Sequence, residues 1–132
     1  MSGIKYDVAI IGGGIGGLMA AYRLHCNVPD IKIVITERGN TLENRLCPAG
    51  KNNTCVHCKH CSITSGYAGA GAFSDGKLSL SYEVGGALPE LIGEDLAQEM
   101  IDYTDKIYLE FGADSKVEGV GNLLLACQTV GI

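Results

Sequence analysis

The first clear pattern in the chain is a short apolar run, then a glycine-rich turn, then a stretch with helical spacing. Tyr6 to Ile11 is almost wholly apolar, which predicts a strand buried on both faces of a parallel sheet. A helix is expected from Ile15 to His25, and the β-branched run from Ile31 to Thr36 predicts a second strand. Residues 6–37 therefore predict one βαβ unit.

The pattern changes after this unit. Residues 39–77 lack clear periodicity and are predicted to be mostly loop, with one helical turn at Thr41–Leu46. A loop of this length is uncommon in a compact domain unless it is functional. Leu78–Tyr82 predicts a short strand, and Glu94–Phe111 predicts a second helix because apolar residues recur there at spacings of three or four. We expect the apolar stripe of this helix to pack as core, and it consists of Leu96, Met100, Tyr103, Ile107 and Phe111.

Composition narrows the class of protein. The 132 residues, about one small domain, include 19 glycines and carry a formal net charge of −5, so the chain has no basic field for nucleic acid or an anionic membrane. The longest uncharged apolar stretch, Val8–Tyr22, is too short and too rich in glycine for a membrane anchor or a signal peptide. We therefore expect a cytoplasmic protein, with no nucleic-acid or membrane partner.

A G-x-G-x-x-G motif, formed by Gly12, Gly14 and Gly17, stands between the first strand and the first helix. Gly12 suits a tight turn, Gly14 lets the backbone approach a pyrophosphate, and Gly17 lets the helix pack closely on the strand. The N–H groups at the start of the helix, at Ile15 and Gly16, would face the phosphates together with the positive end of the helix dipole. This context predicts a dinucleotide site; the alternative is a turn that only permits close packing.

Glu37 follows Gly17 by 20 residues and ends the second predicted strand. A carboxylate at that place accepts hydrogen bonds from the ribose hydroxyls of adenosine and repels a 2′-phosphate. The alternative is a solvated acid at the end of a strand.

The segment from Asn44 to Ser74 contains no Asp or Glu and three basic residues, Arg45, Lys51 and Lys59. Four cysteines in it have the spacing C-x7-C-x2-C-x2-C, which suits a zinc ion or an iron–sulfur cluster. A redox-active dithiol and free thiols remain alternatives. The four candidate ligands are Cys47, Cys55, Cys58 and Cys61.

Two further features of the sequence are its remaining cysteines and a second glycine-rich loop. The other cysteines, Cys26 and Cys127, are expected to be small buried residues. A second glycine-rich loop runs from Ser65 to Lys77, and its small residues, including Gly69 and Gly71, leave backbone amides free to approach a cofactor. Lys77 would then lie near the phosphates or an anionic substrate; the alternative is a flexible surface loop.

Several strings of this sequence together resemble the N-terminal part of FAD-dependent oxidoreductases, within the NAD(FAD)-utilising dehydrogenases. The likeness covers about Lys5 to Gly119, and its most specific part is Gly69 to Leu78. The strings are Tyr6–Gly14, Glu37-Arg38-Gly39, Arg45-Leu46-Cys47-Pro48, the cysteine run, and Gly69–Leu78.

The resemblance implies an α/β fold, a Rossmann-like FAD/NAD(P)-binding domain that is incomplete and carries a long cysteine-containing loop. It implies FAD held by its ADP half on the glycine turn and Glu37, with residues near Arg45 and the loop 69–77 closer to the rest of the cofactor. Arg38 is a further candidate for cofactor binding. NAD(P) is a further cofactor that it implies for the full-length protein. Residues 1–121 would be the N-terminal part of the domain, and residues 122–132 an atypical tail.

Members of this group run to several hundred residues, so we expect this chain to be a front portion that is weakly active or inactive alone. Its partners would be a small-molecule substrate or electron acceptor, with either the missing C-terminal half or a second copy covering its apolar faces. The catalytic residues are unknown at this point. The alternative function is a non-enzymatic nucleotide-binding or metal-dependent interaction module.

Overall fold

The computed structural model describes residues 3–52, 54–74, 76–120 and 123–127. The chain divides into two compact units, Met1–Ser74 and Asp75–Ile132. The boundary falls inside the second glycine-rich loop, whereas the sequence suggested a single segment over residues 1–121. Each unit has its own sheet and its own helices.

The first unit opens with the predicted βαβ arrangement. Strand β1 (Val8–Ile11) leads into helix α1 (Ile15–Asn27), and strand β2 (Ile33–Thr36) follows. The two strands pair in parallel, in a register that runs from Val8 opposite Ile33 to Ile11 opposite Thr36. The expected order of strand, helix and strand is present, with strands shorter than expected and a helix that runs two residues further. The expectation that β1 is buried on both faces is wrong: in this two-stranded sheet its residues alternate between half-buried and exposed, and Ile11 is 92% exposed.

Most of the remaining first unit is irregular, as predicted. A short 3₁₀ helix at Leu42–Asn44 lies within the predicted helical turn. It is followed by a single turn, helix α2 (Ala49–Asn52), and later by a second 3₁₀ helix at Gly69–Phe73. The four candidate cysteine ligands lie between the two 3₁₀ helices.

The second unit is more regular than the sequence suggested. Its elements are strand β3 (Lys77–Ser79), helices α3 (Leu88–Ile92) and α4 (Glu94–Glu110), and strands β4 (Val117–Val120) and β5 (Leu123–Cys127). The strands form an antiparallel sheet in the order β3-β5-β4. Helices α3 and α4 meet at Gly93, whose φ of +86° is a conformation that suits glycine. Strand β5 lies in the segment that the sequence set aside as a tail.

The expectation that the stripe of α4 packs as core is wrong for most of its members. Ile107 is 8% exposed, but the other four are between 37% and 67% exposed. The helix that packs on α4 is the five-residue α3, which is too short to cover a stripe along 17 residues. Cys26 is exposed as well, contrary to expectation; it is the last residue but one of α1, a helix with no buried residue. The side chain of Cys127 lies outside the described residues.

Candidate dinucleotide-binding site

The glycine turn carries the chain from β1 into α1 within three residues. Gly12 adopts a φ of +102°, and its N–H donates to the carbonyl of Thr36 on β2 at 2.8 Å. Gly14 is extended (φ −71°, ψ 179°), and its carbonyl accepts the N–H of Leu18 at 3.0 Å. Helix α1 then begins at Ile15. The turn is tight because glycine alone adopts the conformation of Gly12 without strain.

Gly17 allows the first turn of α1 to lie against β1. A Cβ atom at Gly17 would collide with the carbonyl oxygen of Gly12 and would lie 3.2 Å from Cγ2 of Ile10. At Gly14 and Gly16, by contrast, an added Cβ would meet nothing within 4 Å. The first N–H groups of a helix have no partner within it. The N-terminus of α1 thus combines N–H donors with open space, as the approach of a pyrophosphate requires.

The carboxylate of Glu37 is tied to the same turn. Its Oε2 accepts the N–H of Gly13 at 2.7 Å, and its Oε1 accepts the N–H of Gly39 at 2.8 Å. The N–H groups of Gly39 and Gly13, with smaller contributions from Arg38 and Gly66, hold the pKa of Glu37 below its ordinary value of 4.5. Glu37 is therefore ionised at neutral pH and stands beside the turn as an acceptor of hydrogen bonds.

The second glycine-rich loop lies against this turn in the first unit. The N–H of Ala68 donates to the carbonyl of Gly13 at 2.8 Å. The ring of Tyr67 also stands against Gly13, since its Cδ1 would be 2.9 Å from a Cβ added there. A Cβ added at Gly69 would lie 3.4 Å from Cα of Gly14. The structure thus brings together the glycine turn, Glu37 and Gly69, which are far apart in the sequence.

Arg45 organises the loop. Its side chain is only 3% exposed, and its guanidinium lies over the ring of Phe73 at 4.7 Å from the ring centroid. The family resemblance implied that Arg45 lies near the cofactor, but sequence reasoning predicted no role for it in the loop. A signal for that role was its position in a segment without Asp or Glu, where a buried cation must be solvated by carbonyl dipoles. The acceptors are the carbonyls of Ser62, Ile63, Tyr67 and Gly69, at 2.9, 2.7, 2.6 and 2.8 Å.

Three other residues were predicted to contact the cofactor. Arg38 is exposed and donates to Oγ of Ser65 at 3.5 Å, a weak hydrogen bond. Gly71 lies in the 3₁₀ helix at Gly69–Phe73, where an added Cβ would meet nothing within 4 Å. Lys77 begins β3 in the second unit. Their contacts with a cofactor, and that of Arg45, stay predictions.

The four cysteines of the irregular segment line one cavity of about 240 Å³. Within the part of the chain that the structure describes, no three His, Cys, Asp or Glu side chains already stand close enough to hold a metal ion. Hydrogen bonds from the backbone at Ile63 and Thr64 lower the pKa of Cys61, with a smaller contribution from the charge of Arg45. The cavity is lined by Cys47, Pro48, Cys55, Val56, His57, Cys58, Cys61 and Ser62.

Part of the chain is similar to a known dehydrogenase. The chain is 44% identical over 55 residues to a protein of Dictyostelium discoideum named L-2-hydroxyglutarate dehydrogenase, mitochondrial. That stretch is 40% of this chain and 11% of the relative, so the chain spans about a tenth of the relative's length. No family model and no solved structure matches. The similarity supports an oxidoreductase of the dehydrogenase type.

The cellular location of the protein stays a prediction. The relative is named as mitochondrial, whereas the composition of this chain led us to expect the cytoplasm. Across the described residues, no helix combines the length and the apolar character needed to cross a membrane.

Proposed function

We propose that the first unit binds FAD through its ADP half, in a flavin-dependent oxidoreductase of the dehydrogenase type. One observation carries the proposal: the carboxylate of Glu37 is hydrogen-bonded to the N–H of Gly13 at 2.7 Å, inside the turn that opens α1. An acceptor for ribose hydroxyls therefore stands beside the N–H donors for a pyrophosphate.

The residues of the turn fit a bound dinucleotide in space and charge. Ile15 and Gly16 would hold the pyrophosphate through their N–H groups, and the open space at Gly14 and Gly16 leaves the backbone accessible. Glu37 accepts from two N–H groups, and a carboxylate has about four acceptor positions, so ribose hydroxyls can add to them. Because Glu37 is ionised, it favours a free 2′-hydroxyl over a 2′-phosphate.

The second glycine-rich loop would border the bound cofactor on the side of Gly14. Arg45 holds the carbonyls of Tyr67 and Gly69, and Ala68 is hydrogen-bonded to Gly13, so the loop is fixed before a ligand arrives. When bound, FAD supplies the hydride or electron acceptor of such a reaction, its isoalloxazine ring. The protein's part is to bind it, orient it and exclude water.

The whole-protein activity is proposed from the relative. It is the oxidation of a small organic substrate, for which the relative's name offers a 2-hydroxy acid as the first class to test. NAD(P) as a further cofactor and a small-molecule electron acceptor remain part of the same proposal. For the 132-residue chain alone, we expect binding without appreciable turnover.

A ligand series tests the proposal on the full 132-residue chain. FAD is titrated while flavin fluorescence is followed, and ADP, FMN, ADP-ribose and 2′-phospho-ADP-ribose are then added as competitors. We expect FAD and ADP to compete for one site, FMN to bind much more weakly, and the 2′-phosphate compound to compete less well than ADP-ribose. Binding of FMN without competition by ADP would contradict an ADP-centred site.

The same series separates the flavin proposal from a plain nucleotide-binding module. A module of that kind binds ADP and FAD equally, since it makes no contact with the flavin half. FAD that binds more tightly than ADP by a factor of about 10, or 1.4 kcal/mol, indicates added contacts beyond the ADP half. Equal affinities would favour the module.

A further inference from the structure

The cysteine cavity of the first unit serves no purpose in dinucleotide binding as proposed above. Four of the eight residues around it are cysteines, and they come from two separate stretches of chain, at Cys47 and at Cys55–Cys61. All four are free thiols, and Cys55, Cys58 and Cys61 are exposed. Cysteines buried only as small apolar residues would not gather at one accessible cavity.

We propose that Cys47, Cys55, Cys58 and Cys61 form one metal centre with four thiolate ligands. The proposal goes beyond the function proposed above and does not depend on it. The thiolate set suits a soft metal, either a single Zn²⁺ ion or a small iron–sulfur cluster. Both share the same ligand chemistry, and the experiment below distinguishes them.

The charge of the segment favours this assignment. Four thiolates around Zn²⁺ leave a net charge of −2, and residues 44–74 offer Arg45, Lys51 and Lys59 without any Asp or Glu. The carbonyls of Ser62 and Ile63, directly after Cys61, accept from the guanidinium of Arg45 at 2.9 and 2.7 Å. A buried cation thus lies beside one ligand, where it offsets the negative charge of the centre.

Backbone hydrogen bonds hold Cys47 and Cys61 on one side of the cavity, and Cys55 and Cys58 form its open side. The carbonyl of Cys61 accepts the N–H groups of Thr64 and Ser65, at 3.2 and 2.8 Å, and the carbonyl of Cys47 accepts that of Gly50 at 3.1 Å. These turns hold both residues in place.

The open side consists of the exposed residues Cys55 and Cys58. A zinc–sulfur bond is about 2.3 Å long, so a cavity of about 240 Å³ must contract around the metal. Among the described residues no three such side chains stand close enough to hold a metal ion without it, so the proposal requires Cys55 and Cys58 to move inward as the metal binds. As each S–metal bond forms, one thiol proton passes to the buffer, up to four in all.

The test is a metal titration of the reduced, full 132-residue chain under anaerobic conditions. We expect one Zn²⁺ per chain, with proton release, and one Co²⁺ per chain with the thiolate-to-metal charge-transfer and d–d absorption of a tetrahedral sulfur site. In a parallel arm the chain is incubated with Fe³⁺, Fe²⁺ and sulfide, which supply the oxidation states of a cluster without a further oxidant; acid-labile sulfide and broad visible absorption would identify a cluster in place of a single ion. Either arm supports the centre, and failure of both overturns it.

Serine variants assign the ligands. Cys55 and Cys58 are exposed, so Cys55→Ser and Cys58→Ser should leave the fold intact, which circular dichroism checks. Each substitution should weaken Zn²⁺ binding by about 100-fold or more. Cys47→Ser should do the same, whereas Cys26→Ser, on α1, should have no effect. Binding that survives Cys47→Ser, or that is equally weakened by Cys26→Ser, contradicts a centre with these four ligands. Conversion to disulfides without metal affinity would indicate a dithiol and overturn the proposal.

Discussion

The two units of the chain differ in the interactions that hold each of them in its fold. In the first unit, the buried residues among those described are Gly13, Gly66 and Arg45, and side chains bonded to backbone groups hold a long irregular segment in place. In the second, α4 runs for 17 residues and three strands form a sheet, yet Ala97 and Ile107 are its buried hydrophobic residues among those described. The irregular segment of the first unit is thus held by more specific side-chain interactions than the regular helix α4 of the second.

This contrast concerns function as well as stability. In the first unit, the residues that fix the loop are those around the proposed dinucleotide site, so a substitution that loosens the loop should also weaken binding. In the second unit, the buried hydrophobic residues among those described, Ala97 and Ile107, belong to α4 and not to the glycine turn or to the loop around Arg45. Substitutions in the two units should therefore separate stability from binding.

The largest effect is expected at Gly17. Gly17→Val places Cβ on the carbonyl oxygen of Gly12, a backbone atom that cannot move without opening the turn. We expect a loss of about 3 kcal/mol in the free energy of unfolding, measured by urea titration. Gly16→Ala is the matched control, because an added Cβ there meets nothing within 4 Å, and should change stability by less than about 1 kcal/mol. Equal stability of the two variants would mean that α1 does not pack on β1 as described.

Arg45→Ala should come next. It leaves four carbonyls without their donor and removes a buried side chain that is 3% exposed, so we expect a loss of about 2–3 kcal/mol. Arg38→Ala removes an exposed arginine with one weak bond and should stay within about 0.5 kcal/mol. FAD affinity should fall with Arg45→Ala alone. If Arg45→Ala and Arg38→Ala had the same stability, Arg45 would not be the residue that holds the loop in place.

Substitutions on α4 test the second unit. Ile107→Ala truncates one of the two buried hydrophobic side chains among the described residues of this unit and should cost about 2 kcal/mol or more. Met100→Ala, at a position 52% exposed, should cost less than about 1 kcal/mol. Neither should alter FAD binding. If Met100→Ala were the more costly change, the stripe of α4 would be covered in solution, for instance by a second copy of the chain.

The smallest effect concerns acid. The folded protein holds the pKa of Glu37 below 4.5, chiefly through the N–H groups of Gly39 and Gly13. The stability that this contributes is present above that pH and is lost as the pH falls through the lowered pKa. Unfolding measured from pH 6 to pH 3 should therefore show a shallower loss of stability on acidification in Glu37→Gln than in the natural protein. Parallel curves would show that Glu37 makes no such bonds.

The elements of the fold and of the site that could be predicted from the sequence are those that depend on local patterns. The apolar run before Gly12, the helix after Gly14 and the spacing in α4 are all periodicities within a few residues, and each was found where expected. Glu37 could also be predicted, since a βαβ unit returns the end of its second strand to the end of its first.

The parts that were missed depend on distant partners. Leu123–Cys127 is uniformly apolar and without alternation, so nothing local marked it as the central strand between β3 and β4. The role of Arg45 depends on carbonyls up to 24 residues away. The exposure of the α4 stripe depends on the length of α3, a short helix that has no clear signal in the sequence.

The most direct test of the account is FAD binding by Gly14→Val and Gly50→Val, compared with the natural protein. Both positions are open, with nothing within 4 Å of an added Cβ, and Gly14 already has an extended backbone that valine accepts, so both variants should fold. We expect Gly14→Val to lose measurable FAD binding, because its side chain fills the space for the pyrophosphate, and Gly50→Val to bind FAD as the natural protein does. FAD binding that survives in a folded Gly14→Val protein would contradict the proposed site.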